Sequence, residues 1–248
     1  MFNAQKMLFK MAQVYVLSLL LASCNSSSNT GNGNTDYFPL DKGLSWEYRY
    51  ETALTGGTPT VKTLKIDNLG EQKLGDKKFK VRRTSNGTDY YFKQDESGIY
   101  RNAKRTIVET KAAFDASPRL VLPLPTPKKP GKSWSVITQS YTLHRVLPHY
   151  EPPFENTAHF YMTYSVVGVD REITVPAGVF KNCLLIEGQA QVDQHAGSNQ
   201  GKGEIEITTR EWYAPGTGLV KMERIEPLDG DVFKGGKIVM ELLKVSRN

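Results

Sequence analysis

Two stretches of this chain share one pattern. Pro39-Leu-Asp-Lys-Gly43-Leu-Ser45-Trp46 and Pro127-Lys-Lys-Pro-Gly131-Lys-Ser133-Trp134 both read P-x3-G-x-S-W. An alternating segment follows each. Trp46, Tyr48 and Tyr50 are interleaved with Glu47, Arg49 and Glu51, and Trp134, Val136 and Thr138 alternate along the second. A period of two means a strand with one buried face.

The parallel runs on. Gly70-Glu-Gln-Lys-Leu-Gly75 leads through Phe79-Lys80 into Val81, and Val175-Pro-Ala-Gly178 leads through Phe180-Lys181 into Leu184-Leu-Ile186. Asp89-Tyr-Tyr-Phe92 precedes Gly98-Ile-Tyr-Arg101, as Glu211-Trp-Tyr-Ala214 precedes Gly218-Leu-Val-Lys221. Each pair reads as strand, glycine turn and return strand, hence a hairpin. The expected fold is all-β with minor α: an antiparallel curved sheet or half-barrel built from two pseudo-repeated halves, about 37–115 and 123–248. A composition of 21 Gly, 13 Pro and 10% aromatics agrees with many turns and little helix.

The second half is longer, by Tyr141–Phe154 before its strands and Asp193–Gly203 between them. Lys237–Val245 is apolar enough to close the sheet. Ile107–Phe114 is read as a short helix or an edge strand, ended by Asp115-Ala-Ser-Pro118. Leu122–Pro130, with four prolines, is read as a stiff connector between the halves.

Ahead of the sheet region lies a different kind of segment. Met1–Lys10 carries Lys6 and Lys10 and no acid, and Met11–Leu21 is an 11-residue apolar core. A membrane-spanning helix needs about 20 apolar residues, so this length fits a signal peptide. Leu21-Ala-Ser-Cys24 then resembles the lipobox of bacterial lipoproteins. The resemblance implies cleavage after Ser23, acylation of Cys24 by diacylglycerol and a further chain such as palmitate, and, with Asn25 in place of the retention Asp, the outer membrane. One acyl chain anchors marginally, at about 0.8 kcal/mol per buried CH2, and three hold stably. The expected organisation is a signal peptide at 1–23, a tether at 24–36 and a β-rich domain at 37–248. The Asn/Ser/Gly-rich tether is read as a flexible coil with a reach of about 20 Å.

Without Lys6 and Lys10 the chain keeps 30 Lys+Arg against 26 Asp+Glu, a net charge of +4. This is far from the concentrated basic face that duplex binding requires, so nucleic acid is not an expected partner. With Cys24 acylated, Cys183 stands alone and is read as a small buried hydrophobe. His144, His149 and His159 share a 16-residue window with Glu151 and Glu155, but three prolines interrupt it and no recognised ligand spacing appears. Neither Gly201-Lys202-Gly203 nor Gly131-Lys132-Ser133 makes a phosphate loop, and no G-x-S-x-G or C-x-x-C occurs. No catalytic, cofactor-binding or metal residue is assigned, and no cofactor. Lys78, Lys80 and Arg82 share one strand face opposite Phe79 and Val81, and are read as a solvated side or as a patch for acidic polymer. Lys128, Lys129 and Lys132 form a second basic cluster. Trp46, Tyr48, Tyr50, Tyr90, Phe92, Trp134, Trp212 and Tyr213 are expected to fill the concave face or, if the sheet stays open, to line a lipid-sized groove.

The segments Tyr37-Phe-Pro-Leu with Gly43-x-Ser-Trp46, Ile173-Thr-Val-Pro-Ala-Gly178-Val-Phe-Lys-Asn-Cys183 and Trp212-Tyr-Ala-Pro-Gly216-Thr-Gly218-Leu-Val-Lys221 resemble the TapB-like group of bacterial envelope proteins. The resemblance implies a curved antiparallel sheet, similar to the half-barrels of lipoprotein carriers, and supplies no catalytic residues. The expected function is a lipid-anchored, non-enzymatic lipoprotein on the periplasmic face of the outer membrane, binding an envelope protein partner or an apolar or lipid ligand. An envelope hydrolase or metal-dependent enzyme using the His144–His159 loop, and a structural spacer, are the alternatives.

Overall fold

The computed structural model describes residues 36–145, 159–197, 201–230 and 233–247, with side chains left aside at 145, 194–197, 201 and 202. Cys24 and the tether lie outside the described residues, as do His149, Glu151 and Glu155.

Among the described residues there are thirteen strands and no helix. The first half holds β1 (Leu44–Leu54), β2 (Thr60–Leu74), β3 (Lys77–Thr84), β4 (Asp89–Gln94), β5 (Gly98–Arg105) and β6 (Ala113–Pro123). The second holds β7 (Ser133–Gln139), the short β8 (His144–Arg145), β9 (His159–Val175), β10 (Gly178–Gly197), β11 (Gly201–Ala214), β12 (Gly218–Asp229) and β13 (Phe233–Arg247). Every neighbour is antiparallel, in the order β6-β5-β4-β3-β2-β1-β13-β12-β11-β10-β9-β7, with β8 paired to the start of β13. The result is a single curved sheet that almost closes on itself. Among the described residues its free edges are β6 and β7.

With β8 left out because it lies off the main path, the paired landmarks occupy equivalent ordinal places. The two P-x3-G-x-S-W motifs lead into β1 and β7, and both of their glycines take a left-handed backbone, with φ of 85° at Gly43 and 111° at Gly131. A Cβ is unfavourable there, which gives the shared glycine its physical reason. The Phe-Lys landmarks fall on β3 and β10, and the aromatic–glycine hairpins on β4–β5 and β11–β12.

Two expectations need correction. Ile107–Ala112 forms turns and bends, and of the segment read as a helix or edge strand only Ala113 and Phe114 enter an edge strand, β6. Asp115–Pro118 lies inside β6 instead of ending an element. Proline is tolerated there because β6 is an edge strand. β13 closes the sheet in its middle, joining the two halves by pairing with β1 from Leu44↔Arg247 to Leu54↔Gly236. The addition at Asp193–Gly203 falls on β10 and β11, which run to Gly197 and from Gly201.

Inward-facing side chains fill the curl. Met162, Leu184, Ile186 and Ile207 are fully buried, and Trp46 is 1% exposed with its indole N–H donating to the Thr217 carbonyl at 2.7 Å. The segment ahead of β1 packs inside too, with Tyr37, Phe38 and Leu40 in the core beside Phe92 and Tyr213. Two polar side chains hold that segment. Asn68 Nδ2 donates to the carbonyls of Pro39 (2.9 Å) and Asp41 (3.1 Å), and Arg82 Nη2 also donates to Pro39 (2.9 Å). Arg82 Nε bonds Asn68 Oδ1 at 3.0 Å. The Arg82 guanidinium lies 4.1, 4.7 and 5.6 Å from the ring centroids of Phe38, Trp46 and Phe92. Arg82 is therefore not part of a solvated basic face. Lys78 and Lys80 stay exposed on the same side of β3, but Arg82 ends beneath aromatic rings. Burial lowers its pKa to about 10.

Asn68→Ala removes the donor to the Asp41 carbonyl and the acceptor of the Arg82 Nε–H, and leaves the Pro39 carbonyl to Arg82 alone. It is expected to cost about 1–3 kcal/mol in urea unfolding. Lys80→Ala on the same face should stay within about 0.5 kcal/mol.

Candidate functional site: an interior cavity at the open seam

The halves differ at equivalent places. Trp46 is sealed in the core, whereas Trp134 is half-buried and lines a cavity of about 230 Å³. Phe38, Tyr90, Phe92, Leu120, Tyr164 and Tyr213 supply most of its apolar wall. Trp134 stacks on Tyr164 at 5.9 Å between ring centroids. A second cavity, of about 400 Å³, adjoins it between the free edges of β6 and β7 and shares Tyr90, Arg101, Arg119, Leu120 and Tyr141 with the first. Together they reach the size range of small-molecule sites, which begins at about 300 Å³.

Three polar groups meet this apolar wall. Arg101 is neutralised by Asp115 through a bidentate pair at 2.9 and 2.7 Å. Arg119, next but one to Val121 on β6, has weaker company. It lies 3.4 Å from Thr138 Oγ1 and 3.4 Å from the Tyr164 hydroxyl, long against the usual 2.7–3.2 Å for N–H···O, and also faces the Tyr141 hydroxyl as a hydrogen-bonding partner. Burial disfavours its charge, but facing Tyr141, Tyr164 and Glu211 outweigh that and raise its pKa. Arg119 is thus a fixed cation on the cavity wall. Glu211, on β11, is the third group. Burial raises its pKa, while Tyr213 donates to its Oε2 at 2.6 Å.

A buried ion pair holds the wall next to Arg119 in shape. Arg224 and Glu226, 2% and 0% exposed, meet at 2.6 Å on β12. Glu226 Oε2 also accepts from Ser140 Oγ (2.7 Å), Thr142 N (2.7 Å) and Thr142 Oγ1 (2.8 Å), and Oε1 accepts from Tyr141 N (2.9 Å). The turn leaving β7 is therefore wrapped around one carboxylate. The wrapping places Tyr141, whose ring centroid is 4.1 Å from the Arg224 guanidinium.

The structure separates the residues of the histidine window that it describes. His144 sits on β8 with Nδ1 2.8 Å from the Thr142 carbonyl, and His159 begins β9 at the rim of the seam. Among the described residues no group of three or more His, Cys, Asp or Glu could hold a metal ion. Cys183 is fully buried, and burial raises its thiol pKa to about 11. Of the eight aromatics singled out in the sequence, Tyr90, Phe92, Trp134 and Tyr213 line the inner cavity, while Trp46, Tyr48, Tyr50 and Trp212 belong to a separate packed cluster. Arg119, Glu211, Arg224 and Glu226 carry no motif. Their one sequence signal is charge at inward positions of alternating strands, as in Val220, Met222, Arg224 and Glu226 along β12.

Fold and cavity together define a nearly closed antiparallel β-sheet with an internal amphipathic cavity. No protein-family model matches the chain, and no curated protein matches it. Two solved structures are similar to it. One is a candidate lipoprotein from Parabacteroides distasonis, 14% identical over 85% of this chain and 98% of that chain, with a TM-score of 0.40. The other is a candidate exported protein with a YmcC-like fold from Bacteroides fragilis, 12% identical over 85% and 98%, with a TM-score of 0.38.

Burial alone would raise the Glu226 pKa, but Arg224 and the hydrogen bonds outweigh it and hold it below 4.5. Its stabilisation is complete above the ordinary carboxylate value and is lost as pH falls through the lower folded value. Glu226→Leu leaves Arg224 buried without its partner and is expected to cost about 3–5 kcal/mol in chemical denaturation. Glu226→Gln should flatten the acid limb of stability against pH.

Proposed function

We propose that this chain is a lipid-anchored protein of the bacterial envelope that holds an apolar ligand with an anionic group in its interior cavity. The observation that carries the reading is Arg119, a cation set in a wall of aromatic rings whose contacts to Thr138 and Tyr164 are long. An anionic ligand group would add a charge-assisted partner to those Arg119 already faces. A ligand with an acidic head and an apolar body would complete Arg119 and fill the cavity beside Trp134 and Tyr164. The anchor is the acylated Cys24 of the lipobox, and the outer membrane, facing the periplasm, is the proposed place. β1 begins at the opposite end of the sheet from the seam rim formed by Lys104, Gln139 and His159, where β5 and β7 end and β6 and β9 begin.

Two experiments test it. The fluorescent probe anilinonaphthalene sulfonate, apolar with a permanent negative charge, should bind the folded Cys24→Ser protein. Arg119→Gln should weaken it about tenfold or more, the scale of one charge-assisted hydrogen-bonding partner. Affinity should rise as pH falls through the raised pKa of Glu211, because protonation removes a negative charge near Arg119, and Glu211→Gln should abolish that dependence. Equal probe binding by wild type and Arg119→Gln, with native circular dichroism in both, would overturn the ligand assignment. For the anchor, radioactive palmitate should label the wild type and leave Cys24→Ser unlabelled; an unlabelled wild type defeats it.

A further inference from the structure

The two free edges of the sheet are not equally protected. β6 contains Asp115, Pro118 and Arg119, and its pairing with β5 shifts register twice. Such features guard natural edges against stray pairing. β7 has none of them. Ser-Trp-Ser-Val-Ile-Thr-Gln has no charge and no proline, pairs with β9 without a register shift, and is rich in strand-forming residues.

The free side of β7 can be assigned residue by residue. Val166 N donates to the Lys132 carbonyl at 2.9 Å, which makes 132 and 166 a hydrogen-bonded pair. Antiparallel ladders alternate, so the backbone groups of Trp134, Val136 and Thr138 turn toward β9. Those of Ser135 and Ile137 turn toward the seam. The cavity of about 400 Å³ lies against that side, with β6 as its far wall. Its lining carries Arg101, Lys104 and Arg119 against a single carboxylate, Asp115, which Arg101 already engages. On its outer lip stand Ile137 and Tyr161, 42% and 69% exposed.

We propose that β7 accepts an extended acidic peptide segment of a partner protein as an added strand in the seam. The segment pairs with the backbone of Ser135 and Ile137. Alternate side chains point inward toward Arg119, where acidic groups fit, and outward over Ile137 and Tyr161, where apolar groups fit. β6 forms the far wall of the gap. The inference goes beyond the cavity ligand and is separable from it, because it depends on the backbone of β7.

The test measures a fluorescently labelled heptapeptide of alternating valine and glutamate by anisotropy against the full chain carrying Cys24→Ser. Saturable binding in the micromolar range is expected, weakened about tenfold when lysine replaces each glutamate. Ile137→Pro removes a seam-facing N–H but no bond to β9, so it should keep the wild-type thermal melt and bind the peptide about tenfold more weakly. Ser135→Pro is the second variant. A heptapeptide N-methylated at alternate residues tests the same bonds without altering the protein and should also fail to bind. The proposal is overturned if the heptapeptide does not saturate the protein below about 1 mM. It is equally overturned if the proline variants or the N-methylated peptide bind as tightly as their parents. A wild-type dimer in light scattering that Ile137→Pro dissociates would assign the edge to a second copy, and also overturns it.

Discussion

The pairing of the first strand with the last is the constraint on which the rest depends. β1 and β13 are far apart in sequence, yet they register from Leu44↔Arg247 to Leu54↔Gly236 with one shift between Glu47 and Tyr48. All other neighbours on the main path belong to the same half. Without this ladder the chain is two meanders, each with an apolar face and no opposing wall. With it, the two six-strand runs become one sheet, and right-handed twist accumulated over twelve strands curls that sheet until its far edges approach. The open seam is thus a direct consequence of where the termini meet. Placing the joint between β1 and β13 forces the gap to lie between β6 and β7.

The interior is unequal for a related reason. The segment entering β1 has to cross the end of the sheet, and it does so inside, with Tyr37, Phe38 and Leu40 packed into the core. It is held there by Asn68 and Arg82 through the Pro39 and Asp41 carbonyls. The segment entering β7 makes no comparable plug. Gly131 N instead donates to the Val166 carbonyl at 2.9 Å, against β9. Equivalent tryptophans consequently meet different surroundings, one sealed and one facing a void. Charge follows the void. Arg82 is covered by three rings and bonds the Asn68 side-chain carbonyl and the Pro39 carbonyl at 3.0 and 2.9 Å, whereas Arg119, at the seam, faces hydroxyls, those of Thr138 and Tyr164 at 3.4 Å.

The strands were readable because period-two alternation and left-handed glycines are local properties. Gly43 and Gly131 mark the same turn wherever the chain goes next. The sheet's curl, and with it the meaning of each inward charge, is not local. Lys78, Lys80 and Arg82 have the same spacing and the same face, and only the position of Phe38 decides that Arg82 is buried while the lysines are wet. Pro118 reads as a terminator until β6 is known to be an edge, where a missing N–H costs nothing in the ladder. Arg224 and Glu226 carry no motif that marks them as buried. Their partners, the Ser140–Leu143 turn, come from across the sheet, and no spacing in the sequence announces that meeting.

The network around Glu226 makes the seam a defined site rather than a failure of closure. A carboxylate that accepts from Ser140, Tyr141, Thr142 and Leu143 and pairs with Arg224 fixes the backbone at the moment it leaves β7. Buried ion pairs contribute little net stability compared with apolar side chains of the same volume, because desolvation offsets the Coulomb gain. What this one does is hold a turn in a single conformation. Held as it is, it presents Tyr141 and Arg119 to the cavity together.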